Sequence, residues 1–372
     1  MSMYKVLSSI MLICLCINLQ AHAFQRATPL TNDVTLDVMI GQMIITGIGD
    51  QSYMRESDPI LDDIKAGRVG GVIFFEKNIN RNSPAEQMKR SIEMMKGAAN
   101  IPLFVSIDEE GGKVNRLKTK YGFPATKTAE YLGKVDKLDT TAYYANQTAS
   151  ILHALGFNLN YAPDVDVAIY ADNPVIAKIG RSYSADASQV VKHASEVVRV
   201  HRENQVMTVL KHFPGHGSSH ADSHLGVADV TNYWQFSELL PYKAMLDSGM
   251  VDAIMTAHIV NKHMDANGLP ATLSPYIVND VLRGFLGYNG VVFSDDMQMH
   301  AISSNYGFEE SIKLSILAGV DVLMFANNVP GNEKRTAKEI HAIIKGYVEG
   351  GQISEQRIRE SYDRIMRMKS KL

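Results

Sequence analysis

The sequence predicts an α/β fold, a single (β/α)8 barrel. Three observations lead there. Eight short apolar runs rich in β-branched residues recur along the chain, each suited to a strand buried on both faces. Helical patterns lie between them, several with recognisable start signals. The alternation fills about 300 residues with no linker-like stretch, low-complexity tract or internal repeat. A doubly wound open sheet is the alternative arrangement of the same elements.

Taken in order, the first strand is expected over Met43–Ile48 and the second over Gly71–Phe75. Ser83-Pro84 then opens a helix over Ala85–Gly97, because proline fits the first helical turn, whose N–H groups need no intrahelical partner. Leu103–Asp108 is the third strand, followed by a helix over Thr141–Leu155. Phe157–Ala162 and a helix over Ala187–Asn204 form the fourth unit. Thr208–His212 precedes a helix over Gln235–Ser248. Ala253–His258 precedes Tyr276–Leu286, again opened by a serine–proline pair, Ser274-Pro275. Val291–Asp295 leads to Phe308–Ala318, and Val322–Ala326 to Thr336–Gly346. Ser354 is placed to cap a closing helix over Glu355–Lys369.

The chain has 372 residues, 37 basic and 40 acidic, for a formal net charge of −3. Its 45% apolar and 21% charged content excludes a disordered tail, a collagen-like fibre and a strongly basic nucleic-acid binder. Lys5, the apolar run Val6–Ile17 and the small-residue site Ala21-His22-Ala23 read as a secretory signal peptide over 1–23. The barrel domain is then 24–372, exported to the periplasm or beyond, with no stable membrane insertion after cleavage. Both cysteines, Cys14 and Cys16, fall in the leader. A lipoprotein ranks second, since Ile13 and Leu15 precede them where lipidation wants a small residue. Residues 24–372 contain no cysteine, so no disulfide, thiol nucleophile or thiolate ligand is available there.

A barrel concentrates chemistry at the C-terminal ends of its strands. The expected strands end in Asp108, Lys211-His212, His258 and Asp295-Asp296, charged or imidazole groups that are costly to bury unless paired or facing a cavity. Ile107-Asp108-Glu109-Glu110-Gly111-Gly112 turns sharply at its glycines. Asp108 can accept hydrogen bonds from sugar hydroxyls, and Arg116 can hold that carboxylate or bind the ligand. The plain alternative is a βα turn with solvated acids. In Lys211–His224, histidines recur every fourth residue at 212, 216, 220 and 224. Pro214, Gly215 and Gly217 argue against a helix, so the spacing loses its metal-ligand meaning, and a loop zinc site is the lesser reading. Asp222-Ser223-His224 reads better as an acid/base dyad, the carboxylate orienting the imidazole. In Phe293-Ser294-Asp295-Asp296, neighbouring side chains point to opposite faces. One aspartate can aim into the barrel mouth as a nucleophile toward an anomeric carbon, and Asp296 can cap the following helix.

Together, the Lys211–His224 run, I-D-x-E-G-G, G-R-S-Y-S at Gly180–Ser184 and F-S-D-D-M-Q-M resemble glycoside hydrolase family 3, in its bacterial β-N-acetylglucosaminidase branch, over about Leu36–Met368. The resemblance implies a (β/α)8 barrel with Asp295 as nucleophile and His224 as general acid/base partnered by Asp222. Asp108, Arg116, Arg181, Lys211 and His212 would line the terminal-sugar subsite. It implies no cofactor, no metal and a monomer. Glu109, Lys113 and Tyr183 depart from the family's usual glutamine, arginine and phenylalanine. The family's β-glucosidases take a carboxylic acid/base from a second domain; the barrel here is expected to consume the chain, which leaves the proton to His224.

The expectation is a retaining exo-glycosidase acting on terminal β-linked N-acetylglucosamine, from peptidoglycan fragments first and chitin oligomers second. A β-N-acetylglucosaminide phosphorylase or a β-glucosidase on the same barrel, a zinc-dependent barrel hydrolase and a non-catalytic exported sugar-binding protein are the rivals.

Overall fold

Eight parallel strands close into a barrel in sequence order, β8 returning to pair with β1. They are β1 (Ile44–Gly47), β2 (Gly71–Phe74), β3 (Phe104–Ile107), β4 (Leu159–Asn160), β5 (Met207–Phe213), β6 (Ala253–Thr256), β7 (Val291–Asp296) and β8 (Val322–Phe325). The computed structural model describes residues 34–223, 226–329 and 333–372, and Leu36–Leu372 forms a unit of its own. The expected leader over 1–23, with Cys14 and Cys16, lies outside the described residues. Among them, no helix is long and apolar enough to cross a membrane.

All eight expected strands are present, β4 at only two residues. There the Asn158 side chain does part of the ladder's work, accepting from Val105 N (2.8 Å) and donating to Leu103 O (2.9 Å). The eight expected helices also form, with informative differences. Ser83 makes no capping bond, whereas Ser274 Oγ accepts from Ile277 N (3.1 Å) and Ser354 Oγ from Arg357 N (3.2 Å). Tyr276–Phe285 is wound as a π-helix. The 235–248 segment starts as a 3-10 turn, Phe236–Leu239, and becomes α-helical at Leu240–Asp247, where Pro241 sits in the first turn. Short helices at Leu36–Gln42, Pro59–Lys65, Ala129–Val135 and His300–Tyr306 were not expected, nor was the pairing of Ala228–Asp229 with Ile259–Val260.

The N-terminal end of the barrel is sealed by structure. Phe293 packs edge-on against Phe104 and Tyr161, with centroids 6.1 and 5.9 Å away. Below them the buried Lys369 ammonium lies 4.7 Å from the Phe104 ring and donates to Gln42 Oε1 (2.6 Å) and Gly70 O (2.7 Å). Asp321, also buried, accepts from Val292 N (3.0 Å), Arg283 Nη2 (2.7 Å) and Ser361 Oγ (2.8 Å), tying the closing helix to the barrel.

Two irregularities shape the other end. Between β5 and β6, Leu210 pairs with Ile254 but Phe213 with Thr256, so β5 carries one residue more than its partner across Lys211-His212. Between β7 and β8, Val322 pairs with Phe293 but Met324 with Asp296, and β7 likewise gains a residue across Ser294-Asp295. A bulge re-aims the side chains at the point of insertion. The fold thus breaks strict alternation at the two sequence positions where charged pairs end strands.

Candidate active site

Lys211 is the hub. From β5, its ammonium reaches Asp108 Oδ1 (2.8 Å) after β3 and Glu110 Oε1 (2.6 Å) two residues on. Arg116 Nη2 approaches Asp108 Oδ2 at 3.4 Å. Burial works against the Asp108 carboxylate, but the Lys211 and Arg116 charges outweigh it and hold the group below its usual range. For Lys211, burial favours the neutral amine, yet Asp108 and Glu110 raise it above an ordinary lysine.

A second cluster adjoins the first through Glu110. Arg181 grips that carboxylate with two bonds, Nε–Oε2 at 2.9 Å and Nη2–Oε1 at 2.8 Å. Arg181 Nη2 also lies 3.1 Å from His212 Nε2, while His212 Nδ1 is 2.7 Å from Asp166 Oδ2. The imidazole therefore donates from Nδ1 and accepts at Nε2, which fixes its tautomer and ring plane. Burial, followed by the Asp166 charge, pushes Asp164 well above the usual carboxylate range. Asp164, Asp166 and His212 offer ligand atoms within 4.8 Å of one another. Arg181 Nε lies only 3.3 Å from Asp164 Oδ2, so a guanidinium already supplies positive charge beside the cluster.

Asp295 ends β7 half-exposed, and its Oδ1 accepts from Asp296 N (2.8 Å). Asp296 is buried; its Oδ1 accepts from Gln298 N and Ala326 N, both at 3.1 Å. It pins the turn after β7 rather than capping the next helix, whose preceding residue is Met299. His258, one of the polar strand endings, is buried and paired: it donates from Nε2 to Asp296 O (3.0 Å). It supports the backbone at the end of β7.

A cavity of about 430 Å3 opens at this end, lined among others by Phe75, Asp108, Arg116, Asp295, Asp296 and Met299. A larger one, about 860 Å3, lies at the opposite end, but its one acidic side chain, Asp252, is paired with Arg202 at 2.9 Å. The first joins the half-exposed Asp295 to the ion-paired Asp108 and Arg116 at the C-terminal ends of the strands.

The loop after β5 is anchored residue by residue. Asp166 Oδ1 accepts from His216 N (2.7 Å), and Glu238 Oε2 from Ser218 N (3.2 Å). His216 Nε2 meets Ser223 Oγ at 3.1 Å, and burial holds that imidazole down at about 4. His220 is stacked between Tyr170 (3.8 Å) and Tyr233 (4.0 Å). The rings of the three described histidines of the four-residue spacing thus take different partners: Asp166 for His212, Ser223 for His216 and two tyrosines for His220. Asp222 is half-exposed on this loop and is not among the cavity's lining residues, and His224 lies outside the described residues.

The match to known proteins falls on this same scaffold. Residues 35–368 match the model of the glycosyl hydrolase family 3 N-terminal domain. The chain belongs to glycosyl hydrolase family 3. The β-hexosaminidase of Tolumonas auensis is 32% identical over 266 residues, 71% of this chain and 77% of that one. A β-N-acetylglucosaminidase structure from Paenibacillus sp. str. FPU-7 superposes with a TM-score of 0.81 at 34% identity, covering 91% of this chain and 62% of the other. The chain therefore spans less than two thirds of that relative. A β-N-acetylhexosaminidase from Beutenbergia cavernae gives a TM-score of 0.79 at 28% identity and is covered over its full length.

Of the sequence-derived site, Asp108, Arg116, Arg181, Lys211 and His212 are joined in one network, and Asp295 shares a cavity with Asp108 and Arg116. Sequence reasoning missed Asp164, Asp166, Glu110 and Glu238. The Pro163-Asp164-Val165-Asp166-Val167 alternation, just past the fourth expected strand, was the available signal for the first two.

Proposed function

We propose that the chain is a retaining exo-β-N-acetylglucosaminidase that removes terminal β-linked N-acetylglucosamine. The observation that carries this is the shared cavity: the half-exposed Asp295 carboxylate lines it together with Asp108, whose charge is held by Lys211 and Arg116. The names of the family 3 relatives, β-hexosaminidase and β-N-acetylglucosaminidase, support the choice of sugar.

In this reading Asp108 accepts hydrogen bonds from ring hydroxyls, and Arg181 and His212 brace the subsite. Asp295 attacks the anomeric carbon as the bond to the leaving oxygen breaks, and His224, oriented by Asp222, gives that oxygen its proton. The glycosyl–Asp295 ester forms with inversion. His224 then takes a proton from water, whose oxygen displaces Asp295 and restores the β configuration. Peptidoglycan fragments are the proposed natural source. The leader over 1–23 would deliver a monomer to the periplasm or medium.

The test compares a chromogenic β-N-acetylglucosaminide with the matching β-glucoside, with and without phosphate, using Asp295→Ala as control. Fast release from the first alone, independent of phosphate and lost in the variant, supports the reading. A phosphate-dependent rate yielding the sugar 1-phosphate would make the protein a phosphorylase. Preference for the glucoside would overturn the sugar assignment.

A further inference from the structure

Glu109 sits between two acids of the site network but takes no part in its ion pairs. The residue is 3% exposed. Oε2 accepts from Arg116 N (2.7 Å) and Leu117 N (3.1 Å), the backbone of the segment that carries the Arg116 side chain to Asp108. Oε1 is buried with no hydrogen-bond partner. Behind it lies a chamber of about 40 Å3 that Glu109 lines together with Asp164, whose Oδ2 likewise accepts no hydrogen bond.

An ionised carboxylate needs donors on both oxygens when it is buried. Here one oxygen has two amide donors and the other has none; burial disfavours the charge, and of the nearby charges Arg116 favours the ionised form while Asp108 opposes it. Asp108 and Glu110 flank it in sequence, and Asp164 shares its chamber. Arg181, which also lines that chamber, is already committed to Glu110, and Arg116 points to Asp108. From β4, Asn160 meets the Glu109 backbone and the neighbouring His201 ring rather than the carboxyl. The arrangement suits a carboxylic acid with its carbonyl oxygen on the two amides and its proton on Oε1.

We propose that Glu109 is a positioning residue for the sugar-binding arm of the site, holding Arg116 against Asp108 while it is itself in the protonated form. Burial, opposed by the Arg116 and Leu117 amides, raises its carboxyl to about 7. Ionisation then puts a second negative charge near the Arg116 guanidinium, which competes with Asp108 for it. The affinity of the site for sugar falls above neutral pH, with little effect on the chemical step. This rests on the proposed sugar site. Glutamine has the same shape as the protonated acid, with an amide oxygen for the two N–H groups and an NH2 in place of the proton.

The test measures KM and kcat against pH for wild type, Glu109→Gln and Glu109→Ala on a chromogenic β-N-acetylglucosaminide. Wild-type KM is expected to rise about fivefold from about pH 6 to about pH 9, while Glu109→Gln stays within about twofold and Glu109→Ala is raised throughout. Denaturant unfolding from about pH 4 to about pH 9 reads the proton independently of turnover: the Gln variant should gain on wild type between 4.5 and about 7, the unfolded and folded values of the carboxyl, and the difference should level off above that. If that gain appears but no sugar is processed, the proposed function fails and the protonated Glu109 stands. If Glu109→Gln follows the wild-type KM profile, or neither variant alters KM, the positioning role is wrong.

Discussion

The Lys211 ammonium on β5 lies 2.8 Å from Asp108 Oδ1 at the end of β3, two strands away around the barrel. Both groups are largely buried, and the same ammonium meets Glu110 at 2.6 Å. Removing the cation leaves two acids with too little compensation. Lys211→Met should therefore cost about 3–5 kcal/mol of stability, the usual range for breaking a buried pair from one side. Denaturant unfolding measures it. Asp108→Asn in the Lys211→Met background should recover part of the loss, because one uncompensated charge is gone.

Gly217 carries the β5 loop past Val167, and a Cβ built there would meet Val167 O at 1.6 Å. Backbone cannot give way as a flexible side chain can, so Gly217→Ala must shift the loop that bears Asp222. A misplacement of about 1 Å can cost about 100-fold in rate, and turnover of the β-N-acetylglucosaminide should fall by that order while circular dichroism stays native. Gly97, in the Pro84–Ala98 helix, has open space around its Cβ position. Gly97→Ala should leave turnover unchanged and add about 0.5–1 kcal/mol.

Lys369 gives a pH signature in stability. Burial lowers its amine from 10.5 to about 7. Between those values the unfolded chain binds a proton that the folded one does not, so stability rises with pH through that window. Lys369→Met lacks the group. The stability of wild type relative to the variant, read from urea midpoints, should increase from about pH 7 to about pH 10. A flat difference would show that the ammonium keeps its charge inside the barrel, held by Gln42, Gly70 and Phe104.

The barrel was legible because a strand buried on both faces must be almost wholly apolar, and all eight such runs became strands. The alternation rule failed at the site itself. It assumes an unbroken strand, whereas the bulge in β5 shifts the register across Lys211-His212 and that in β7 across Ser294-Asp295, just before Asp296. Glu110 could not be given a role because its partners, Arg181 and Lys211, are 71 and 101 positions away in the chain and only the closed barrel unites them. His258 shows the limit of strand-end reasoning: a buried imidazole there looks the same in sequence whether it meets substrate or, as here, the Asp296 carbonyl.

The central claim is that Asp295 forms a covalent bond to the sugar. His224→Ala should still be glycosylated by an aryl β-N-acetylglucosaminide, since a nitrophenolate leaves without an acid, but it should release the sugar slowly for want of a base. Intact-protein mass spectrometry of that reaction is expected to show the addition of one N-acetylglucosaminyl group, mapped by peptide fragmentation to Asp295. An adduct on another residue, or release of the α-configured sugar with no adduct formed, would contradict it.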